Sequence, residues 1–140
     1  MGVRFTLSAT AFDGAVLRAG LGDPGAGAFV CFEGWVRDSH RGRAVQRLDY
    51  QAYEALALAE GQRILDEAVA RFDVIDAFCM HRTGSLAVGE LAVWVGVAAA
   101  HRDGAFAACR WIIDAVKSSV PIWKNETYAD GASGWIHPEV

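Results

Sequence analysis

Leu91 to Ala100 read LAVWVGVAAA, an unbroken apolar run. A β-strand sends successive side chains to opposite faces, so a strand that is apolar throughout is buried on both. The run is too short for a membrane helix, which needs about 20 apolar residues. It therefore predicts a central strand in a covered sheet, and the rest of the chain has to provide the cover.

The clearest cover is a helix from Tyr53 to Phe72. Ala57, Leu58, Gly61, Ile64, Leu65, Ala68, Val69 and Phe72 form one stripe, with Glu60, Arg63, Asp66 and Glu67 on the other side. That is the pattern of an amphipathic helix lying on a sheet. Gly61 is a weak point inside it. A second helix is predicted over Asp103 to Ser119, with Asp103 as its N-cap and Pro121 as its stop. Phe106, Cys109, Ile112, Ile113, Val116 and Val120 make its core face, while Trp111 points the other way among Ala107, Ala108 and Ala115. Two apolar sides call for two covers, the second from a loop of the same chain or from another subunit.

Val3–Ser8, Ala28–Arg37, Val45–Tyr53 and Val74–Arg82 read as further strands, and residues 122–128 run extended. Asp13 caps a short helix through Arg18, and Gly20–Gly27 is a loop. Asp38–Arg43 (DSHRGR) is a charged loop with a turn glycine; Thr83–Glu90 is a connection turning at Gly84 and Gly89. The last dozen residues form an irregular tail around Trp135. The order β-α-β-β-α-β-β-α-β is not a strict βαβ alternation. It predicts an α+β fold, with two long helices packed on a mostly antiparallel or mixed sheet.

At 140 residues, 53% hydrophobic and 21% charged, the chain reads as one globular domain over residues 1–140. The formal charge of -4 argues against a general grip on nucleic acid, which needs a basic surplus or face. Met1–Thr6 lacks the layout of a signal peptide. Cys31, Cys79 and Cys109 are odd in number and widely spaced, so they read as buried thiols in a reducing compartment, and the expectation is a cytoplasmic protein without membrane attachment. The myristoylation-like start and the Asn125-Glu126-Thr127 glycosylation pattern are short enough to arise by chance. No metal set, Walker loop, dinucleotide fingerprint or GxSxG is found, and no cofactor is expected.

The residue that carries chemistry is lysine. Of 13 basic residues only two, Lys117 and Lys124, are lysines, and they flank Pro121. Arginine is always charged, whereas a lysine can be a nucleophile or a proton shuttle. Alternatively, Lys117 compensates a helix C-terminus and the clustering is accidental. His101-Arg102 precedes a helix N-terminus, a place for an anion such as phosphate; the other reading pairs Arg102 with a carboxylate and His101 with a backbone carbonyl. Arg37, at a strand mouth, can grip a carboxylate or phosphate through two parallel bonds. His40, Arg41 and Arg43 read as a solvated rim, His81 as structural, and His137 has no visible partner.

Three stretches together carry a resemblance: Phe32-Glu33-Gly34-Trp35-Val36-Arg37, Ala100-His101-Arg102-Asp103-Gly104-Ala105-Phe106, and Asp114 to Glu126 with its K-x-x-x-P-x-W-K-x-E pattern. Met80-His81-Arg82-Thr83-Gly84 and Val88-Gly89-Glu90 fit as well. In order and spacing they resemble the large, catalytic subunit of molybdopterin synthase, over roughly residues 26–136. The resemblance implies a hammerhead-like α/β fold and an enzyme of molybdenum cofactor synthesis. It implies a pterin phosphate substrate, cyclic pyranopterin monophosphate. Sulfur would come from the C-terminal thiocarboxylate of a small ubiquitin-like subunit, on a homodimer of large subunits within a heterotetramer. By the same resemblance Arg37, His101 and Arg102 hold the phosphate and pterin, and Lys117 is the main catalytic lysine. Lys124 is the second cation, Glu126 orients Lys124 or the pterin, and Trp35, Val36 and Asn125 line the pocket through backbone contacts. No family role maps onto His40, Arg41 and Arg43, and the tail after Trp135 is short for the family. A competing reading is a non-catalytic anion-binding or assembly subunit; a third is a small enzyme acting on another phosphorylated metabolite.

Overall fold

A computed structural model describes residues 2–136; Met1 and His137 lie outside them. Two sheets, rather than one, organise the chain. The first has the order β1-β5-β7-β2: Arg4–Ser8 (β1), Val74–Arg82 (β5), Leu91–Ala99 (β7) and Ala28–Trp35 (β2). β1 runs parallel to β5, and the other pairs are antiparallel, so the sheet is mixed.

β7 sits inside this sheet, and from Ala92 onward every residue is buried. Two layers cover it. On one face lie Glu54–Phe72 (α2) and Arg102–Ser119 (α3), packed through Ala57, Ile64, Leu65, Ala68, Ala105, Ala108, Ile112 and Val116. On the other face Trp94 and Phe78 pack with Leu21, joined by Phe12 and Leu17 from around Gly14–Ala19 (α1). Asp13 caps α1, its carboxylate accepting from the Ala15 N–H at 2.9 Å.

Several sequence expectations are corrected here. His101, not Asp103, is the N-cap of α3, and Asp103 sits in the first turn. Phe106 is 62% exposed, because Ala105 and Ala108 are the residues of that turn that face the sheet. The cover over Trp111 comes from α2, whose Phe72 ring lies 5.9 Å from it. Cys31 is exposed, so only Cys79 and Cys109 are buried thiols. Leu58 lies at the edge of the α2 stripe, 40% exposed.

The second sheet consists of Ser39–His40 (β3), Arg43–Ala52 (β4), Gly84–Ala87 (β6), Ile122–Tyr128 (β8) and Ser133–Ile136 (β9). β4 pairs with β3, β6 and β8, and β9 pairs with β8. The charged loop is thus a hairpin: Arg41 (φ 51) and Gly42 (φ 79) make a two-residue turn between His40 and Arg43. Positive φ at both central residues is what a tight hairpin turn requires. The tail around Trp135 is a strand as far as Ile136, and Thr83–Glu90 contains β6. Short strands of four residues or fewer leave too little alternation to read from sequence. No described helix is long and apolar enough to cross a membrane.

Gly61 is a contact point rather than a weak point. A Cβ there would run into the ring of Phe5 on β1, itself 3% exposed. Gly61→Ala should therefore destabilise the fold by about 1–3 kcal/mol through overpacking, more than the ~1 kcal/mol of helix propensity it gains. A lower urea midpoint at unchanged slope is the expected readout; a higher one would show that Phe5 can move aside.

Candidate active site

The two sheets meet where α3 ends. Val120 N–H still donates to Val116 O at 3.1 Å, but Pro121 cannot continue the helix. Its carbonyl accepts from Tyr53 N–H at 3.2 Å, tying the break to the start of α2. The chain then returns as β8. Lys117 on the last turn of α3 and Lys124 on β8 consequently line the same cleft of about 80 Å³, with Tyr50, His81 and Trp35 also in its wall. A second pocket of about 130 Å³ continues from it, sharing Trp35, Tyr50 and both lysines and adding Arg37, His40 and Glu126.

Three cations around one cavity need a counter-charge, and Glu126 supplies it at 2% exposure. Its Oε1 receives the Lys124 ammonium at 3.1 Å and faces His40 Nδ1 at 3.8 Å. Its Oε2 accepts from the Tyr128 hydroxyl at 2.8 Å. Burial alone would raise this carboxyl, but the Tyr128 hydroxyl and the Lys124 ammonium outweigh it and hold it below the ordinary carboxylate value. Lys117 is held below the ordinary amine value by partial burial first, then by the Lys124 and Arg37 charges, with Asp114 opposing. An amine so placed loses a proton more easily than a surface lysine.

His81 and Tyr50 form the uncharged wall. Their rings meet edge to face at 4.8 Å. His81 Nδ1 lies 2.7 Å from the Arg82 carbonyl oxygen, so Nδ1 carries the hydrogen and donates. Burial pushes the imidazole down to about 4, with the Arg82 carbonyl working against it and the Lys117 charge with it. Burial, then the nearby Glu126 charge, pushes Tyr50 up to about 12. Both are neutral at ordinary pH.

Of the residues singled out from sequence, the fold brings Trp35, Arg37, Lys117, Lys124 and Glu126 around this cavity. Arg37 lies two residues beyond the end of β2. Val36 is 3% exposed in a small core with Leu48, Leu86 and Ala92, and its N–H is already given to the Glu90 carbonyl at 3.0 Å. Asn125 is on β8 between Lys124 and Glu126, so its side chain takes the opposite face of the sheet; its buried Oδ1 has no hydrogen-bond partner among the described residues. His101 and Arg102 are exposed at the far end of α3. Fifteen residues of helix separate Arg102 from Lys117, about 22 Å at 1.5 Å per residue. One chain therefore does not bring that pair to the lysines. Tyr50, His40 and Tyr128 are the residues sequence reasoning missed. The signal for Tyr128 was strand alternation, which puts it on the same face as Lys124 and Glu126. Among the described residues no cluster of His, Cys, Asp or Glu could hold a metal ion.

A groove of about 530 Å³ runs from Phe106 to Lys117 between α3 and β2. β2 is the last strand of its sheet, with an unpaired edge among the described residues.

Lys124→Ala removes a positive charge that depresses Lys117. Lys117 should then titrate at higher pH, leaving a smaller free-amine fraction at pH 8, as measured by NMR titration of ¹³C-labelled lysine. An unchanged midpoint would mean that the two side chains do not share one electrostatic environment.

The model of the MoaE protein family matches residues 7–119. The "Molybdopterin synthase catalytic subunit" of Pyrococcus abyssi is 49% identical over 110 residues, covering 79% of this chain and 74% of that protein. The crystal structure of molybdopterin synthase from Staphylococcus aureus superposes with a TM-score of 0.87 at 30% identity, covering 93% of this chain and 94% of that one. A protein-protein complex of subunits 1 and 2 of the molybdopterin-converting factor from Helicobacter pylori shares the fold, with a TM-score of 0.73 at 22% identity over 95% of this chain and 88% of that one. With the family model spanning most of its length and relatives that bear the same name, this chain belongs to the MoaE family, the catalytic subunits of molybdopterin synthase.

Proposed function

We propose that the cleft between Lys117 and Lys124 is where sulfur passes from the thiocarboxylate end of a small ubiquitin-like subunit to cyclic pyranopterin monophosphate. The observation that carries this is the convergence of the chain's only two lysines, from different elements, on one cavity that also holds Arg37. The thiocarboxylate sulfur bonds to the pterin carbon, and water then cleaves the resulting thioester, leaving the sulfur on the pterin and a carboxylate on the small subunit. In these steps and as the cyclic phosphate opens, negative charge builds on oxygen. Fixed cations in a shielded site stabilise it without reorganising. Lys117, with its lowered amine pKa, gives and takes the proton at its Nζ. Lys124, held by Glu126, stays a directed cation. The neutral His81 and Tyr50 line the wall and present ring edges to the pterin.

The open edge of β2 and the groove beside it suit an extended C-terminal segment of the small subunit, added as a strand and led toward Lys117. His101 and Arg102 enter the reading through a second copy of the chain. In a homodimer of large subunits, the pair at the start of one α3 would meet the lysines at the end of the other. Two large and two small subunits then form the working assembly. Two buried free thiols, Cys79 and Cys109, fit a reducing compartment, and we place the chain in the cytoplasm.

Lys117→Ala should abolish molybdopterin formation in a mixture with thiocarboxylated small subunit and the cyclic pterin, while complex formation is retained. Normal turnover by this variant would remove Lys117 from the mechanism. Arg102→Ala should also be inactive alone. Mixing the two inactive variants should restore about a quarter of full activity, because half the dimers are mixed and one of their two sites is intact. No recovery after subunit exchange would place His101 and Arg102 outside the site.

A further inference from the structure

Arg43, Tyr128, Glu126 and Lys124 form a continuous line of contacts from the β3–β4 hairpin into the cleft. The Arg43 guanidinium carbon lies 3.7 Å from the centre of the Tyr128 ring, and its NH2 group pairs with Asp130 at 3.0 Å. Tyr128, 9% exposed, gives its hydroxyl hydrogen to Glu126 Oε2 at 2.8 Å. Glu126 Oε1 receives Lys124 at 3.1 Å.

We propose that Tyr128 is a positioning residue for Lys124: its hydroxyl fixes one oxygen of Glu126 so that the other aims the ammonium into the cleft, and Arg43 clamps the tyrosine ring from the hairpin. The proposal rests on the sulfur-transfer reading of this cleft. It also gives a task to the Asp38–Arg43 segment, which the family resemblance leaves without one.

The argument is one of hydrogen-bond supply. A carboxylate has two oxygens to satisfy, and burying one without a donor is costly. Without the Tyr128 hydroxyl, Glu126 has to turn so that Lys124 serves both oxygens, or take up a proton more readily. Either response withdraws the ammonium from its present direction. The groups facing Glu126 are Lys124 and Tyr128 on its own strand, His40 on β3 and Tyr50 on β4, with Lys117 and Arg37 in the shared pocket wall. The Tyr128 hydroxyl is the largest of the influences that lower the Glu126 pKa, so its removal moves that carboxyl upward.

The test is Tyr128→Phe, which keeps the ring beneath Arg43 and removes one oxygen. With two lysines in the chain, ¹³C-lysine labelling gives two side-chain signals, assigned through Lys117→Arg. In Tyr128→Phe the Lys124 signal should shift, and the inflection it reports from Glu126 should move to higher pH, with a smaller shift at Lys117, which feels the Lys124 charge. In the reconstituted synthase kcat should fall about tenfold, the cost of a hydrogen bond to a charged group, with KM for the pterin little changed. Arg43→Gln should produce a smaller change in the same direction, and Glu126→Gln a larger one. An unmoved Lys124 signal in Tyr128→Phe overturns the proposal whatever the rate, and so does a moved signal with unaltered kcat. If the unmodified chain itself makes no product, the sulfur-transfer reading fails, while a moved Lys124 signal still supports the alignment.

Discussion

Burial of β7 on both faces is the constraint from which the rest follows. Its run of Val, Trp and Ala side chains has to be taken from water on each side of the sheet, at roughly 25 cal/mol for each Å² of apolar surface. On one side that requires two long helices, and on the other it requires the first twenty or so residues with α1. α3 therefore lies along the sheet with its start near one end of β7 and its finish near the other. The end of α3 is thereby delivered to the junction with the second sheet, where the cleft opens.

That junction concentrates charge, and the second sheet resolves it. A helix end, a strand mouth and β8 place Lys117, Arg37 and Lys124 around a small cavity. Left alone, three cations would repel one another. The buried Glu126 pairs directly with only one of them, so Lys124 is compensated while Lys117 is left with a depressed amine. The two lysines thus differ in character because of what surrounds them: Lys124 is ion-paired to a buried carboxylate, and Lys117 is an amine held below its ordinary pKa. The charged rim of the β3–β4 hairpin belongs to this arrangement through Arg43 and His40.

Long periodic elements were legible in the sequence, and short ones were not. The α2 stripe, the doubly apolar β7 and the Pro121 break are each set by local pattern, and each stands where it was expected. β3, β6 and β9 are too short to alternate visibly, and their existence depends on neighbours distant in the chain. Phe106 and Ala105 exchange roles because a helical stripe read from sequence has an uncertainty of one position, and only packing against the sheet decides it. The lysine pair was visible through composition. The separation of His101 and Arg102 from it was also implicit, since Arg102 and Lys117 sit at opposite ends of one rigid helix, but it becomes evident only when the helix is laid out in space.

The free edge of β2 has a consequence for how the chain behaves in isolation. An unpaired strand presents a row of backbone donors and acceptors, and β2 carries a single charged side chain, Glu33, to discourage pairing. Phe32 and Phe106 stand open beside it. At high concentration and without a companion, the most abundant complementary strand is another copy of the same edge. Among the described residues nothing covers this edge, so any strand that pairs with it also shields it from self-association.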